Sequence, residues 1–326
     1  MNRATVHLPT GSAATRGLAT GTAVTAARMH RALLISLALL QCTGYPADAA
    51  SGLGSGTRQL GDVSIPGGIV RVPVPANTQI VIANARRALL EANAATQPPT
   101  AFAIAAVPLD TPPGSGRVFA QHANGSLALA YRVTPHTYPV QRLTLSNQRM
   151  VDPNSEDLQR INTEQLLIDA ARNRFSPTPP ATLRLRAPVH APLSSLFGSR
   201  RVLNGQARNA HTGLDFAAPT GAPIRAPLAG EVADVGNFFF TGNTVFVDHG
   251  QGFVTMYAHL SRVDVSPGKH LDAGDLIGQV GSTGRATGPH LHWSVFLSNV
   301  PVDPKLLLEV SMSPSAAKAS KQKTVE

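Results

Sequence analysis

The chain has 326 residues, of which 43% are hydrophobic and 14% are charged. The hydrophobic content is enough for two modest domains and excludes a mainly disordered chain, and the low charge excludes a coiled coil. Glycine and proline contribute 28 and 26 residues, which favours short strands and turns over a helical bundle. The single cysteine excludes a disulfide framework.

The formal net charge is +9, and most of the positive charge is arginine. An excess of arginine favours an anionic partner such as the cell wall or an anionic lipid. The alternative is that these arginines form a solvated surface with no partner, which would give the same net charge. No basic run is interleaved with aromatic residues, so the sequence argues against binding of nucleic acid.

Residues 1–49 have the pattern of an export segment. Met29 is the better start of the two candidates, because it puts the basic Arg31 directly before the apolar run 32–40, and the small residues Ala47 and Ala49 mark a cleavage site. We therefore predict an exported protein, in the periplasm or elsewhere in the cell envelope. No apolar run approaches the ~20 residues of a membrane-spanning helix, so we expect no stable transmembrane segment in the mature chain.

Cys42 gives a second interpretation of the same segment, namely lipidation of an exported lipoprotein. A lipidated cysteine normally follows a small residue, and Gln41 is not small. We therefore favour removal of Cys42 together with the signal, which leaves the mature chain without a thiol and suits an oxidising compartment.

The rest of the chain predicts a mainly β fold. Short β-prone runs separated by Pro/Gly clusters occupy the first part, and short strands joined by glycine turns occupy the last. We predict an export segment (1–49), a Gly/Ser-rich linker (50–62), a small N-terminal β domain (63–150), a helix with a proline-rich linker (151–182), a C-terminal antiparallel β domain (183–310) and a disordered tail (311–326).

The helix within 151–182 is predicted from its capping and acidic residues. Ser155 can cap its first turn, and the helix should run to about Arg174, before the prolines. The apolar residues predicted to form its buried face are Leu158, Ile161, Leu166 and Ile168.

Three segments near the C-terminus carry histidines in a suggestive order. The first, HTGLD, contains His211 and Asp215; the second, VTMYAHLS, contains His259; the third, GPHLHW, contains His290 and His292. His290 and His292 are two residues apart in a β-prone run, so their side chains should share a face. The same alternation places Thr255, Tyr257 and His259 on one face of the second strand. We expect Tyr257 and Trp293 to serve mainly in packing.

A catalytic zinc site is built from histidines and carboxylates such as these. Such a site takes three nitrogen or oxygen ligands from the protein and keeps one position for water, whose pKa the metal lowers towards ~7. Two further histidines could stabilise the oxyanion and supply a proton to the leaving amine. Any single one of the eleven histidines is more often a surface or core residue than a metal ligand. The occurrence of five candidate groups in one strand-and-turn region favours a metal site.

The stretch from about Leu196 to Leu307 resembles the lysostaphin-type, or LytM-like, zinc metallopeptidases. The matching motifs are FGSR, HTGLD, TMYAHLS, V-x-P-G and GSTGRATGPHLHW, in the order usual for the family. The resemblance implies one Zn²⁺ per chain and hydrolysis of peptide cross-links in peptidoglycan. By similarity, the zinc ligands would be His211, Asp215 and His292, and the catalytic histidines would be His259 and His290.

Two other function classes compete with this interpretation. Relatives that have lost zinc ligands act as regulators that activate cell-wall amidases, but here all five positions are filled. Lys269 and its neighbouring turns resemble biotinyl and lipoyl carrier domains, but the lysine lies in a different local pattern and the histidines would stay unexplained. We therefore predict a peptidoglycan endopeptidase, whose N-terminal domain localises the enzyme or covers its site.

Overall fold

Strands dominate the part of the chain that the structure, a computed structural model, describes, namely residues 61–93, 100–123 and 125–309. The prediction of a mainly β fold is confirmed. The predicted export segment with Cys42, residues 50–60 of the linker and the tail 311–326 lie outside the described residues.

The first nine strands lie in the N-terminal part. A sheet with the strand order β1-β8-β7-β3-β4 stands beside a sheet with the order β2-β6-β5. Their buried residues form one core, which includes Val72, Ala103 and Val118. The strands are β1 (Val63–Ser64), β2 (Ile69–Val74), β3 (Thr78–Ala83), β4 (Arg86–Arg87), β5 (Leu89–Asn93), β6 (Thr100–Ala106), β7 (Gly114–His122), β8 (Gly125–Val133) and β9 (Val140–Leu143).

The C-terminal part is built around one long sheet, in which every pair of neighbouring strands is antiparallel. Its main path has the order β10-β13-β20-β17-β16-β15-β18, with β14, β19 and β21 attached at its sides. The strands are β10 (Leu193–Ser195), β11 (Arg200–Leu203), β12 (Gln206–Ala207), β13 (Leu214–Phe216), β14 (Pro223–Arg225), β15 (Gly230–Phe238), β16 (Gly242–Asp248), β17 (Phe253–Val263), β18 (His270–Leu271), β19 (Leu276–Val280), β20 (Leu291–Leu297) and β21 (Val300–Val302). Short 3-10 helices occupy Gln148–Met150 and Pro304–Leu306.

The helix α1 (Ser155–Arg172) connects the two parts and packs on one face of the C-terminal sheet. Its buried Ile168 and Ala171 join a cluster with Phe246, Met256 and Phe296, which come from strands β16, β17 and β20. His292 and Phe296 are four residues apart on β20, so their side chains lie on the same face of the sheet. α1 therefore packs on the face that carries His292, at the end where Phe296 lies.

Two details of the helix prediction are wrong. The residue that caps α1 is Asn154 rather than Ser155: its side chain accepts a hydrogen bond from the Asp157 amide at 2.8 Å, and the Asp157 carboxylate accepts from the Asn154 amide. The predicted apolar face is wrong at Leu158 and Leu166, which are exposed, whereas Ile168 is buried against the sheet. Nearer its start the helix contacts the sheet through a polar group, since Arg160 donates to the Asn237 carbonyl of β15 at 3.1 Å.

The N-terminal strands and the C-terminal sheet share contacts. Ile69, Leu89 and Ile104 belong to the same core cluster as Phe253 and Trp293. In addition, β9 pairs in parallel with β11, and β12 extends that small sheet. β11 carries Arg201, so the position of this arginine depends on strands from both parts.

Within residues 61–93, 100–123 and 125–309, no helix is long and apolar enough to cross a bilayer.

Candidate metal centre

Asp215 and His292 are fixed by the register of two antiparallel strands. Asp215 in β13 lies directly opposite His292 in β20. The Asp215 Oδ1 atom is 2.8 Å from Nδ1 of His292, and both side chains are buried. The sheet itself therefore brings together two groups that are 77 positions apart in the chain.

His211 reaches the same point from the loop before β13. Its backbone is held by two hydrogen bonds, from the His211 amide to the Ser199 carbonyl and from the Gly198 amide to the His211 carbonyl. Its Nε2 atom lies 2.9 Å from Asp215 Oδ1 and 2.9 Å from His292 Nδ1. One ligand atom from each of these three residues lies within 4.8 Å of the others.

The chemistry of these three groups fits a zinc ion. With a metal bound, Nδ1 of His211 could donate to the Leu196 carbonyl 3.0 Å away and so leave the Nε2 lone pair for the ion. Two imidazole nitrogens and one carboxylate oxygen form a common donor set for a catalytic zinc, which needs a further position for water.

Hydrogen bonds determine the charge state of the Asp215 carboxylate. Burial alone would raise the pKa of this carboxyl, but hydrogen bonds from His211 and His292 outweigh burial and hold the pKa well below its usual range. Burial lowers the pKa of His292 to about 4, against the opposing effect of Asp215. At neutral pH an ionised Asp215 thus lies beside a neutral His292.

His259 reaches the site through an unusual backbone conformation. Its φ angle of 67° is left-handed, which a side chain with a Cβ adopts at a cost of about 1–2 kcal/mol. Its amide donates to the Thr241 carbonyl at 2.8 Å, and Nδ1 is 2.8 Å from the Thr283 carbonyl. Burial is the main cause that lowers the pKa of His259 to about 3.

The positive φ angle overturns the predicted common face of Thr255, Tyr257 and His259. Thr255 and Tyr257 are fully buried, and 2.9 Å separates their hydroxyl oxygens. The ring of His259 instead turns towards His290 and His292, with ring centroids 4.7 and 6.0 Å away. Tyr257 and Trp293 lie in the core cluster, in agreement with the packing role that we expected.

His290 lies immediately before β20, at the edge of the same cluster. Its Nδ1 atom is 2.9 Å from the Gly288 carbonyl, and its Nε2 atom is 3.9 Å from Asp215 Oδ1. Like His259, it can donate from Nδ1 to a main-chain carbonyl and so present Nε2 to the site. The structure thus brings all five predicted site residues into one cluster.

The sequence interpretation missed three residues that contact this cluster. Arg201 donates to the second carboxylate oxygen of Asp215 at 2.8 Å. Ser294 Oγ is 2.9 Å from His292 Nε2, and Ser195 Oγ is 3.2 Å from His211 Nδ1. Ser294 could have been found, because it is two residues after His292 on the same strand face. Arg201 and Ser195 carry no such signal.

Comparison with known proteins places these observations in a family. The model of Peptidase family M23 matches residues 209–304. The DD-carboxypeptidase/endopeptidase Mpg of Neisseria meningitidis is 42% identical over 116 residues, which are 36% of this chain and 27% of the relative. The peptidoglycan DD-endopeptidase ShyA of Vibrio cholerae is 40% identical over 112 residues, 34% of this chain and 26% of the relative. The chain thus matches about a quarter of the length of these relatives.

A solved structure extends the similarity beyond the C-terminal sheet. The crystal structure of a Pseudomonas aeruginosa protein assigned to peptidase M23 is 37% identical, with a TM-score of 0.62, and the match covers 74% of this chain and 94% of that one. Since the match covers nearly all of that chain at 37% identity, the chain belongs to peptidase family M23.

Proposed function

We propose that the protein is a zinc-dependent endopeptidase that hydrolyses peptide cross-links of bacterial peptidoglycan. The observation that carries this proposal is the convergence of His211, Asp215 and His292 within 4.8 Å. The relative ShyA, which is named a peptidoglycan DD-endopeptidase, supports the same substrate. An exported protein in the periplasm or envelope, and the division into domains at 63–150, 151–182 and 183–310, belong to the proposal as well.

His211, Asp215 and His292 would hold one zinc ion. When bound, zinc would act as a Lewis acid towards the scissile carbonyl and lower the pKa of water at the site. Arg201 and the Leu196 carbonyl hold Asp215 and His211 in place, at 2.8 and 3.0 Å. Such supporting contacts orient ligands and strengthen metal binding.

His259 and His290 would handle the protons of the reaction. Each presents Nε2 to the site, because its Nδ1 atom faces a main-chain carbonyl, of Thr283 and Gly288 respectively. An imidazole that accepts the proton of the attacking water can return it to the leaving amine, and its protonated form can donate to the developing oxyanion. Two adjacent imidazoles allow these tasks to be divided.

The decisive experiment is digestion of purified sacculi by the mature protein, with mass analysis of the released fragments. We expect about one zinc per chain and fragments that identify the cleaved peptide bond. The variant His292→Ala should lose both zinc and activity, whereas His270→Ala, at an exposed position on β18, should keep both. An active protein without metal would contradict the proposal, and a protein that neither binds zinc nor cleaves any bond would favour the amidase-activating regulator.

A further inference from the structure

Three arginines lie near one another, and one of them, Arg201, contacts the candidate metal centre. Arg201 donates to Asp215, and Arg285 lies in the loop between Thr283, which accepts from His259, and His290. Arg208 lies in the segment that leads into His211.

The guanidinium groups of Arg208 and Arg285 approach the same short segment. Arg208 donates to the Val151 carbonyl at 2.6 Å, and Arg285 is 3.5 Å from the Met150 carbonyl. Because these carbonyls belong to consecutive residues, the two guanidinium groups lie near each other. Arg285 also stacks on the ring of Phe240, at 4.1 Å from its centroid.

These positive charges are poorly balanced by the protein. Among residues 61–93, 100–123 and 125–309, neither Arg208 nor Arg285 forms an ion pair with a carboxylate. The carboxylate that pairs with Arg201 is Asp215, which is a proposed zinc ligand. Nε of Arg201 is buried and has no hydrogen-bond partner in this part of the chain. The main-chain carbonyls of Met150 and Val151 accept hydrogen bonds but carry no charge.

The like charges of the other two arginines act on Arg285. Burial, and then the like charges of Arg201 and Arg208, lower the pKa of Arg285 to about 10. Arg285 is still charged at neutral pH. With a zinc ion in place the positive potential around these arginines would rise further, so an anionic ligand would relieve repulsion that the fold leaves uncompensated.

We propose that Arg201, Arg208 and Arg285 form a subsite for a carboxylate of the substrate, borne by a residue next to the scissile amide. This inference rests on the proposed function and names the chemical class of peptide that the site prefers. A guanidinium group matches a carboxylate with two parallel hydrogen bonds, which gives orientation as well as affinity. The subsite would fix the register of the peptide, so that the amide lies against the histidines.

The rival explanation is structural, since Arg208 and Arg285 also hold the segment around Met150 and Val151 against the C-terminal sheet. The two explanations differ in what a variant does to a neutral substrate. Loss of a carboxylate subsite impairs only substrates that carry the charge. Loss of a structural contact impairs charged and neutral substrates alike.

The test uses two synthetic cross-linked peptides that differ only in whether the residue beside the scissile bond carries a carboxylate or a carboxamide. For the zinc-loaded protein we expect kcat/KM to be at least about tenfold higher on the carboxylate peptide. In Arg285→Gln and Arg208→Gln this preference should fall to about twofold or less, while the rate on the carboxamide stays within about twofold. Arg117→Gln removes the same charge from an exposed position on β7 and should keep the full preference.

A binding measurement separates this inference from the proposed function. Calorimetry on zinc-free protein, which should leave the peptides intact, should show tighter binding of the carboxylate peptide, and the difference should shrink in Arg285→Gln and at high salt. This readout does not need hydrolysis, so it holds even if the enzyme cleaves neither peptide. Equal binding of the two peptides, no binding of either, or equal losses on both substrates in the variants would overturn the subsite.

Discussion

Asp215 and His292 face each other across β13 and β20, with 2.8 Å between Oδ1 and Nδ1. A slip of one residue in this pairing would turn one of the two side chains to the other side of the sheet. The metal centre is therefore as rigid as the antiparallel pair that carries it, which suits a site that must hold a ligand geometry within tenths of an ångström.

His290 tests the proposed division between metal ligands and proton carriers. Its Nε2 atom is 3.9 Å from Asp215 Oδ1, farther than the 2.8 and 2.9 Å of His292 and His211. We expect His290→Ala to keep most of the bound zinc and to lower kcat by about 10²-fold or more. Zinc content and kcat measured on the same preparation check this. Complete loss of metal would exchange the assignments of His290 and His292.

Arg201 should support the metal centre through Asp215. It holds the Oδ2 atom at 2.8 Å, which leaves Oδ1 directed at His211 and His292. We expect Arg201→Ala to weaken zinc binding by about tenfold or more, as is usual when a group that orients a ligand is removed. Competition with a chromophoric chelator measures the affinity. Arg200→Ala, an exposed neighbour on β11, is the matched control, and equal zinc affinity in both variants would remove Arg201 from the supporting role.

Gly213, between His211 and Asp215, packs so closely against β20 that a side chain has no room there. A Cβ at this position would lie 2.4 Å from the Trp293 carbonyl oxygen and 2.9 Å from Cε1 of His292. The carbonyl belongs to β20 and cannot move without disturbing the strand pair. We expect Gly213→Ala to lower the free energy of unfolding by roughly 1–3 kcal/mol and to weaken zinc binding.

Chemical denaturation and zinc titration check the two effects of Gly213→Ala. The control is Gly288→Ala, in the loop that leads to His290, where an added Cβ would meet no heavy atom within 4 Å. The same loss of stability in both variants would mean that backbone freedom, rather than the contact with β20, explains the glycine.

The sequence predicted the members of the site better than its geometry. The motifs around His211, Asp215 and His292 named the cluster, but their convergence depends on the pairing of β13 with β20, which residue spacing does not encode. Strand alternation gave the wrong environment for His259, because a single left-handed φ angle of 67° redirects its ring. Nothing in a local pattern reports such a turn, since its cause is a set of hydrogen bonds to the distant Thr241 and Thr283.

The fold class was predictable from local patterns, whereas the buried face of α1 was not. Short β-prone runs separated by glycine and proline recur along the chain, and this pattern indicates strands. By contrast, Leu158 and Leu166 are exposed while Ile168 is buried, so apolar residues on α1 do not by themselves mark its buried face. Contacts between distant strands decide which side of a short helix is covered.

His249 should make the stability of the fold sensitive to acid. Its side chain is buried in the connection between β16 and β17, with Nδ1 2.8 Å from the Ala229 carbonyl and Nε2 2.8 Å from Thr255 Oγ1. Burial lowers the pKa of His249 to about 4, whereas an unfolded histidine titrates near 6.5. Between these two values the unfolded chain binds a proton that the folded chain does not.

The free energy of unfolding should therefore be fully retained above about pH 6.5 and fall as the pH drops towards 4. The difference between the two pKa values corresponds to roughly 3 kcal/mol from this one residue. Urea denaturation of zinc-free protein at a series of pH values measures it, with His249→Gln compared against the unchanged chain so that the remaining histidines cancel. The variant should be less stable at pH 8, because it loses two buried hydrogen bonds, yet should lose less stability on acidification. The exposed His270→Gln should follow the unchanged chain, and parallel pH curves for His249→Gln and the unchanged chain would show that His249 is not the acid-sensitive group.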